Sequence, residues 1–152
     1  MPEGPTIVDA SCLIGLEAIN RLTLLEQLYG PIHIPKAVAN EWSMAPPDWI
    51  MVQSVQNQTL VQSLHGRLGA GESETIAYAL ECAPARVILD DKRARQIAKQ
   101  FDLPITGTVG VIVRAKERGF VSAVEPVLNE LRAVGFAISD RLKAEALRLA
   151  RE

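Results

Sequence analysis

The stretch RVILDDKRARQIAKQF, residues 86–101, decides the fold. Its first four residues, Arg86-Val87-Ile88-Leu89, form a short β-type apolar run that ends in acid at Asp90-Asp91. From Lys92 the pattern becomes helical. Ala94, Ile97, Ala98 and Phe101 fall on one face, and Lys92, Arg95 and Lys99 fall on the other. A strand that runs through carboxylates into an amphipathic helix is half of a βα unit.

The same order recurs at the start of the chain. In TIVDASCLIGL, residues 6–16, the run Ile7-Val8 ends at Asp9, and apolar helix-compatible sequence follows from 12 to 29 with a break at Asn20-Arg21. Ile32-His33-Ile34 reads as a strand, Pro35 starts a helix over Lys36–Ser43, and Trp49–Val55 reads as another strand. Leu60, Leu64 and Leu68 make a helical stripe, Gly69-Ala70-Gly71 breaks it, and a helix is expected over Glu72–Cys82. Beyond the Asp90 unit come a strand at Leu103–Ile105 and a helix within Gly107–Gly119. A helical stripe follows on Val124, Val127, Leu128, Leu131 and Val134, then a weak strand at Phe136–Ser139 and a last helix capped by Asp140. Short strands alternating with helices of about ten residues predict an α/β domain with a parallel sheet. In such sheets functional groups gather beyond the carboxyl ends of the strands, where Asp9 and Asp90 both fall.

The length of 152 residues suits one domain over 1–152, and 48% apolar residues supply a core that 5% aromatics make mainly aliphatic. A net charge of −2 argues against nucleic-acid binding by overall charge and leaves only a local basic patch. No run approaches the roughly 18 apolar residues of a membrane span. Met1-Pro2-Glu3-Gly4-Pro5 lacks the features of a signal peptide, and Cys12 and Cys82 have no metal-ligand spacing. The expectation is a cytoplasmic protein.

The acids worth weighing are Asp9, Glu41, Glu72, Glu74, Asp90 and Asp91. Clustered carboxylates raise one another's pKa, and a shared divalent cation removes the repulsion. Oxygen ligands suit Mg²⁺ or Mn²⁺, whereas no His/Cys cluster offers a zinc site. At 100° per residue Glu72 lies at the edge of the face centred on Ile76 and Leu80, while Glu74 falls beside Tyr78 and Glu81 on the far side. Glu72 is therefore the site candidate and Glu74 a solvated residue. Each acid also has a plain structural reading as a helix cap or solvated residue.

The segments TIVDASCLI, PKAVANEW, GAGESETIAYAL and VILDDKRARQIAKQFDLPITGTVGVIVRAKERG resemble, in that order, a PIN domain of the VapC-like prokaryotic branch, over residues 6–135. The resemblance implies a three-layer α/β/α fold with a central parallel sheet and a Mg²⁺- or Mn²⁺-dependent ribonuclease. It carries the four family acids onto Asp9, Glu41, Glu72 and Asp90, with Asp91 in an alternative register. The third is often Asp, so Glu72 here reaches the metal directly or through water. Ser11 matches a family Ser/Thr and supports the site. Thr106 and Thr108 follow the Leu103–Ile105 strand and are expected on the same edge, with capping as the plain reading of both. Lys92, Arg93, Arg95 and Arg114 are candidates for the RNA backbone. A homodimer and a small antitoxin partner complete the implication. The helices Leu13–Ile19 and Leu22–Leu28 carry more apolar surface than a one-sided helix needs, which either a dimer face or buried packing explains.

Three rivals stand beside this reading. A haloacid-dehalogenase-like phosphotransferase needs a second acid where Ser11 stands. A response-regulator receiver needs a central Asp and a late Lys that are not evident. A catalytically silent PIN-like module would bind RNA or protein with the same acids. Gly107 and Gly110 are not a P-loop, because no Gly-Lys-Ser/Thr follows.

Overall fold

A computed structural model describes residues 4–152, so most of the N-terminal stretch read above for a signal peptide lies outside the described residues. Five strands form one parallel sheet: β1 (Thr6–Val8), β2 (Ile32–Pro35), β3 (Ile50–Gln53), β4 (Arg86–Ile88) and β5 (Ile105–Thr106). Around it lie α1 (Ala10–Ala18), α2 (Thr23–Tyr29), α3 (Lys36–Trp42), α4 (Gln58–His65), α5 (Ala70–Glu81), α6 (Lys92–Gln100), α7 (Thr108–Glu117), α8 (Val124–Ala133) and α9 (Asp140–Leu149). The result is the expected three-layer α/β/α arrangement.

The period-two alternation of the strands builds the layers. Ile7, Val87 and Leu89 face one side and pack with Val61, Leu64, Ile76, Ala94 and Ile97 from α4, α5 and α6. Val8, Ile34 and Ile88 face the other and pack with α1, α2, α3 and α7–α9 through Leu13, Leu25, Val38, Ile112, Leu128 and Ala146. A fully buried Leu or Ile contributes on the order of 1.5–3 kcal/mol by transfer alone, so both layers hold the sheet firmly. The apolar excess of the two early helices goes into this core: Leu13, Leu16, Leu24, Leu25 and Leu28 are buried. Ile14 in the same stretch stays exposed.

The strand order is β3-β2-β1-β4-β5. From β1 the chain winds outward through β2 to β3, then returns to β4 on the other side and continues to β5. The reversal leaves a crevice at the carboxyl ends of β1 and β4, where open parallel sheets bind ligands.

Several local expectations are corrected. α5 starts at Ala70, two residues early, because Gly71 lies inside its first turn with its N–H donated to Glu41 Oε1. Residues 136–139 are not a strand. Gly135, at φ +93°, reverses the chain so that the Phe136 N–H bonds Leu131 O at the end of α8. Ser139, not Asp140, caps α9 by accepting from the Leu142 N–H, and Asp140 pairs with Arg132 instead. Phe101 and Val134, expected on core faces, end their helices exposed. Glu74 is not a freely solvated side chain: its Oε1 accepts from the Ala37 N–H in the first turn of α3.

Candidate active site

Asp9 directly follows β1 and is tied into the sheet's last rung by its own N–H, which donates to Ile88 O at 3.0 Å. This position buries it to 4% exposure. It occupies the N-cap position of α1, yet its side chain accepts no capping hydrogen bond, and its Oδ1 is buried with no partner. An unpaired carboxylate in that setting resists ionising. Burial pushes the Asp9 carboxyl up to about 7; the Ala10 amide opposes the shift, and the charges of Glu72, Glu41 and Asp90 add to it.

Asp90 stands two residues beyond the rung that Val8 and Ile88 share. It reaches across to the start of α7 and is held there by three donors. Its Oδ1 accepts from the Thr108 N–H at 2.7 Å, and its Oδ2 accepts from the Thr108 hydroxyl at 2.6 Å and from Ser11 Oγ at 3.1 Å. Asp90 thereby satisfies an orphan amide of α7 from a neighbouring strand. Gly107 leaves room for this contact, since a Cβ there would come 3.1 Å from Asp90 Oδ1 and 3.0 Å from Arg95 Nη1.

Glu41 projects from the last turn of α3 and Glu72 from the first turn of α5. Glu41 Oε1 accepts from the Gly71 N–H at 3.0 Å, and a Cβ on Gly71 would come within 2.6 Å of that oxygen. Glu72 Oε1 accepts from the Gly69 N–H at 3.1 Å. Burial raises the Glu72 pKa, the Gly69 amide opposes it, and the charges of Asp91 and Glu41 add to it. Asp91 N-caps α6 by accepting from the Ala94 N–H at 2.9 Å, which leaves Asp90 as the acid aimed at α7.

Asp9, Glu41, Glu72, Asp90 and Asp91 all line one cleft of about 1020 Å³, and so do Ser11 and Thr106. Thr106 makes no side-chain hydrogen bond there; Thr108, the other threonine expected on that edge, is the one that holds Asp90. Its signal was the T-G-T segment directly after a strand, on the same edge as Asp90. Of the basic candidates only Arg95 lines the cleft, steadied by donation from its Nη1 to Leu89 O at 2.8 Å. Lys92 and Arg93 are exposed on α6 outside it. Arg114, on α7, is also outside it.

The donor set is all carboxylate, and the orphaned Asp9 Oδ1 needs a cation or a proton, so these residues fit a hard divalent ion. Among the described residues, no three potential ligands already ring a common point. Glu41 and Glu72 each hold one oxygen on the backbone of α5 and would contribute the other.

One family model, described as DUF3368: PIN domain, matches residues 5–152. No curated protein and no solved structure matches the chain. Among the described residues no helix is long and apolar enough to cross a membrane.

Proposed function

The chain belongs to the PIN-domain family, whose fold is nuclease-like, and from that premise we propose that it is a Mg²⁺- or Mn²⁺-dependent endoribonuclease. The observation that carries the reading is the buried, unpartnered Oδ1 of Asp9, set in one cleft with Glu41, Glu72 and Asp90. These four residues would hold the ion. When bound, it would supply Lewis-acid activation of water and neutralise charge on the phosphoryl oxygens.

The chain's own groups do the rest. Thr108 and Ser11 fix the rotamer of Asp90, so one ligand stands preorganised. Arg95 lines the same cleft and would take a non-bridging phosphate oxygen. In the hydrolysis a water oxygen bonds to phosphorus, the ester P–O bond breaks, and the leaving oxygen takes a proton. No side-chain nucleophile competes: Ser11 donates its hydroxyl to Asp90, and burial raises the Cys12 thiol far from ionisation.

A toxin role, a homodimer and a small antitoxin partner belong to the same proposal, which co-purification with its genomic neighbours and sedimentation would test. One observation favours a second reading, a catalytically silent module: Glu41 and Glu72 already serve as caps on α5. Incubation with structured and single-stranded RNAs in Mn²⁺ separates the two. Cleavage that vanishes with EDTA and with Asp9→Asn supports the nuclease; Mn²⁺ binding without cleavage supports the silent module.

A further inference from the structure

Much of the cleft is shaped for something other than a phosphate. Part of its wall is apolar: Ile14 from α1, Val134 and Phe136 from the α8–α9 connection, and Leu142 from α9. Ile14, Val134 and Leu142 are 49%, 47% and 44% exposed, so the wall holds three of the large apolar side chains that the described residues leave open to water. Such side chains gathered on one concave surface mark a contact site.

The wall is held in place. Gly135 turns the chain at φ +93°, the Phe136 N–H bonds Leu131 O, and Arg132 donates twice to Ile138 O, at 3.1 and 2.7 Å. The Phe136 ring lies across Gly15, where a Cβ would come 2.8 Å from ring carbon Cδ2. Glycine at that point lets the ring settle against α1. An aromatic ring fixed beside aliphatic side chains, in one cleft with phosphate-directed groups, is what a base needs on leaving its stack.

We propose that Ile14, Val134, Phe136 and Leu142 form a subsite that takes a nucleobase next to the cut. This rests on the ribonuclease reading. The occupant follows from continuity with the acids and Arg95: a strand whose phosphate reaches them has its neighbouring base within the same cleft. A duplex keeps its bases inside the stack and cannot fill the wall.

Fluorescence anisotropy on the whole chain carrying Asp9→Asn, which suppresses turnover, tests the subsite. The probes are a labelled single-stranded RNA of a dozen nucleotides, its duplex, and an abasic ribose-phosphate strand of equal length. The single strand is expected to bind at least about fivefold tighter than the abasic strand, and the duplex no tighter. Phe136→Ala and the more exposed Leu142→Ser should each erase that preference. Equal binding of single and abasic strands would overturn the subsite. So would variants that leave RNA binding intact and instead change the sedimenting mass, which would make the wall a protein contact. Base-dependent binding by a chain whose native form cleaves nothing in Mn²⁺ would sink the nuclease reading and keep the subsite. Equal Mn²⁺-dependent cleavage of abasic and base-bearing strands would do the reverse.

Discussion

Asp9 and Asp90 stand just beyond neighbouring parallel strands, one residue out of step, and that offset gives them opposite characters. Asp9 is on the last hydrogen-bonded rung, inside the packing, with no donor for its Oδ1. Asp90 is past the rung and collects three donors from Ser11 and Thr108. The other acids resemble Asp90. Glu41 and Glu72 serve amides of α5, Asp91 serves α6, and even Glu74 serves α3. Helix N-termini thus account structurally for the other acids, while Asp9 keeps a buried oxygen that no donor meets. A buried carboxylate oxygen without a donor is the one whose presence calls for a ligand.

The sharpest break of this comparison is to remove each charge separately. Asp9→Asn and Asp90→Asn should both take Mn²⁺-dependent RNA cleavage to background. In EDTA at neutral pH their effects on stability should differ in sign. Asp9→Asn relieves a buried ionisable group and should raise the unfolding free energy. Asp90→Asn weakens charge-assisted bonds to Thr108 and should lower it by about 2–3 kcal/mol. Denaturant melts read both, and shifts of the same sign would end the contrast.

The second break is pH. Asp9 ionises near 4 when unfolded and at about 7 when folded. Between those values the folded chain holds the extra proton, so stability falls as pH rises. The stability present below pH 4 is lost progressively up to about pH 7, a change on the order of 4 kcal/mol from this group alone. Thermal melts of metal-free protein should show this slope, and Asp9→Asn should flatten it. A wild-type curve as flat as the variant's would mean that Asp9 has found a partner in solution.

Metal addition should offset the same penalty. At neutral pH, Mn²⁺ at about 100 times its dissociation constant should stabilise the wild type by about 2.7 kcal/mol, with little effect on Asp9→Asn. Equal stabilisation of both chains would place the ion elsewhere.

The sequence carries the sheet and the two strand-end acids because both follow from local period. A run of two to four β-type residues followed by a helical stripe is visible without tertiary knowledge, and so is the acid between them. The 100° arithmetic also separates Glu72, which lines the cleft, from Glu74, which does not. It fails on the solvation of Glu74, because the Ala37 amide that holds it comes from another helix. The apolar wall was illegible for a related reason. Phe136 and Ile138 alternate like a strand, but the backbone between them bonds to the end of α8. Only the turn at Gly135 reveals this, and its direction is set in three dimensions.

The smallest effects grade the support under Asp90. Thr108→Val deletes a 2.6 Å hydroxyl bond to a carboxylate but keeps the amide bond at 2.7 Å and nearly the same volume. It should cost about 1.5–3 kcal/mol and weaken Mn²⁺ binding about 10–100-fold. Ser11→Ala deletes a longer bond, 3.1 Å, from a side chain already at the cleft surface where water can replace it. Its cost should stay below about 1 kcal/mol, with a smaller loss of metal affinity. Melts with and without Mn²⁺ read both terms for each variant. If Ser11→Ala proves as damaging as Thr108→Val, the hydroxyl of Ser11 has a second task in the cleft, and the support of Asp90 is not what it is there for.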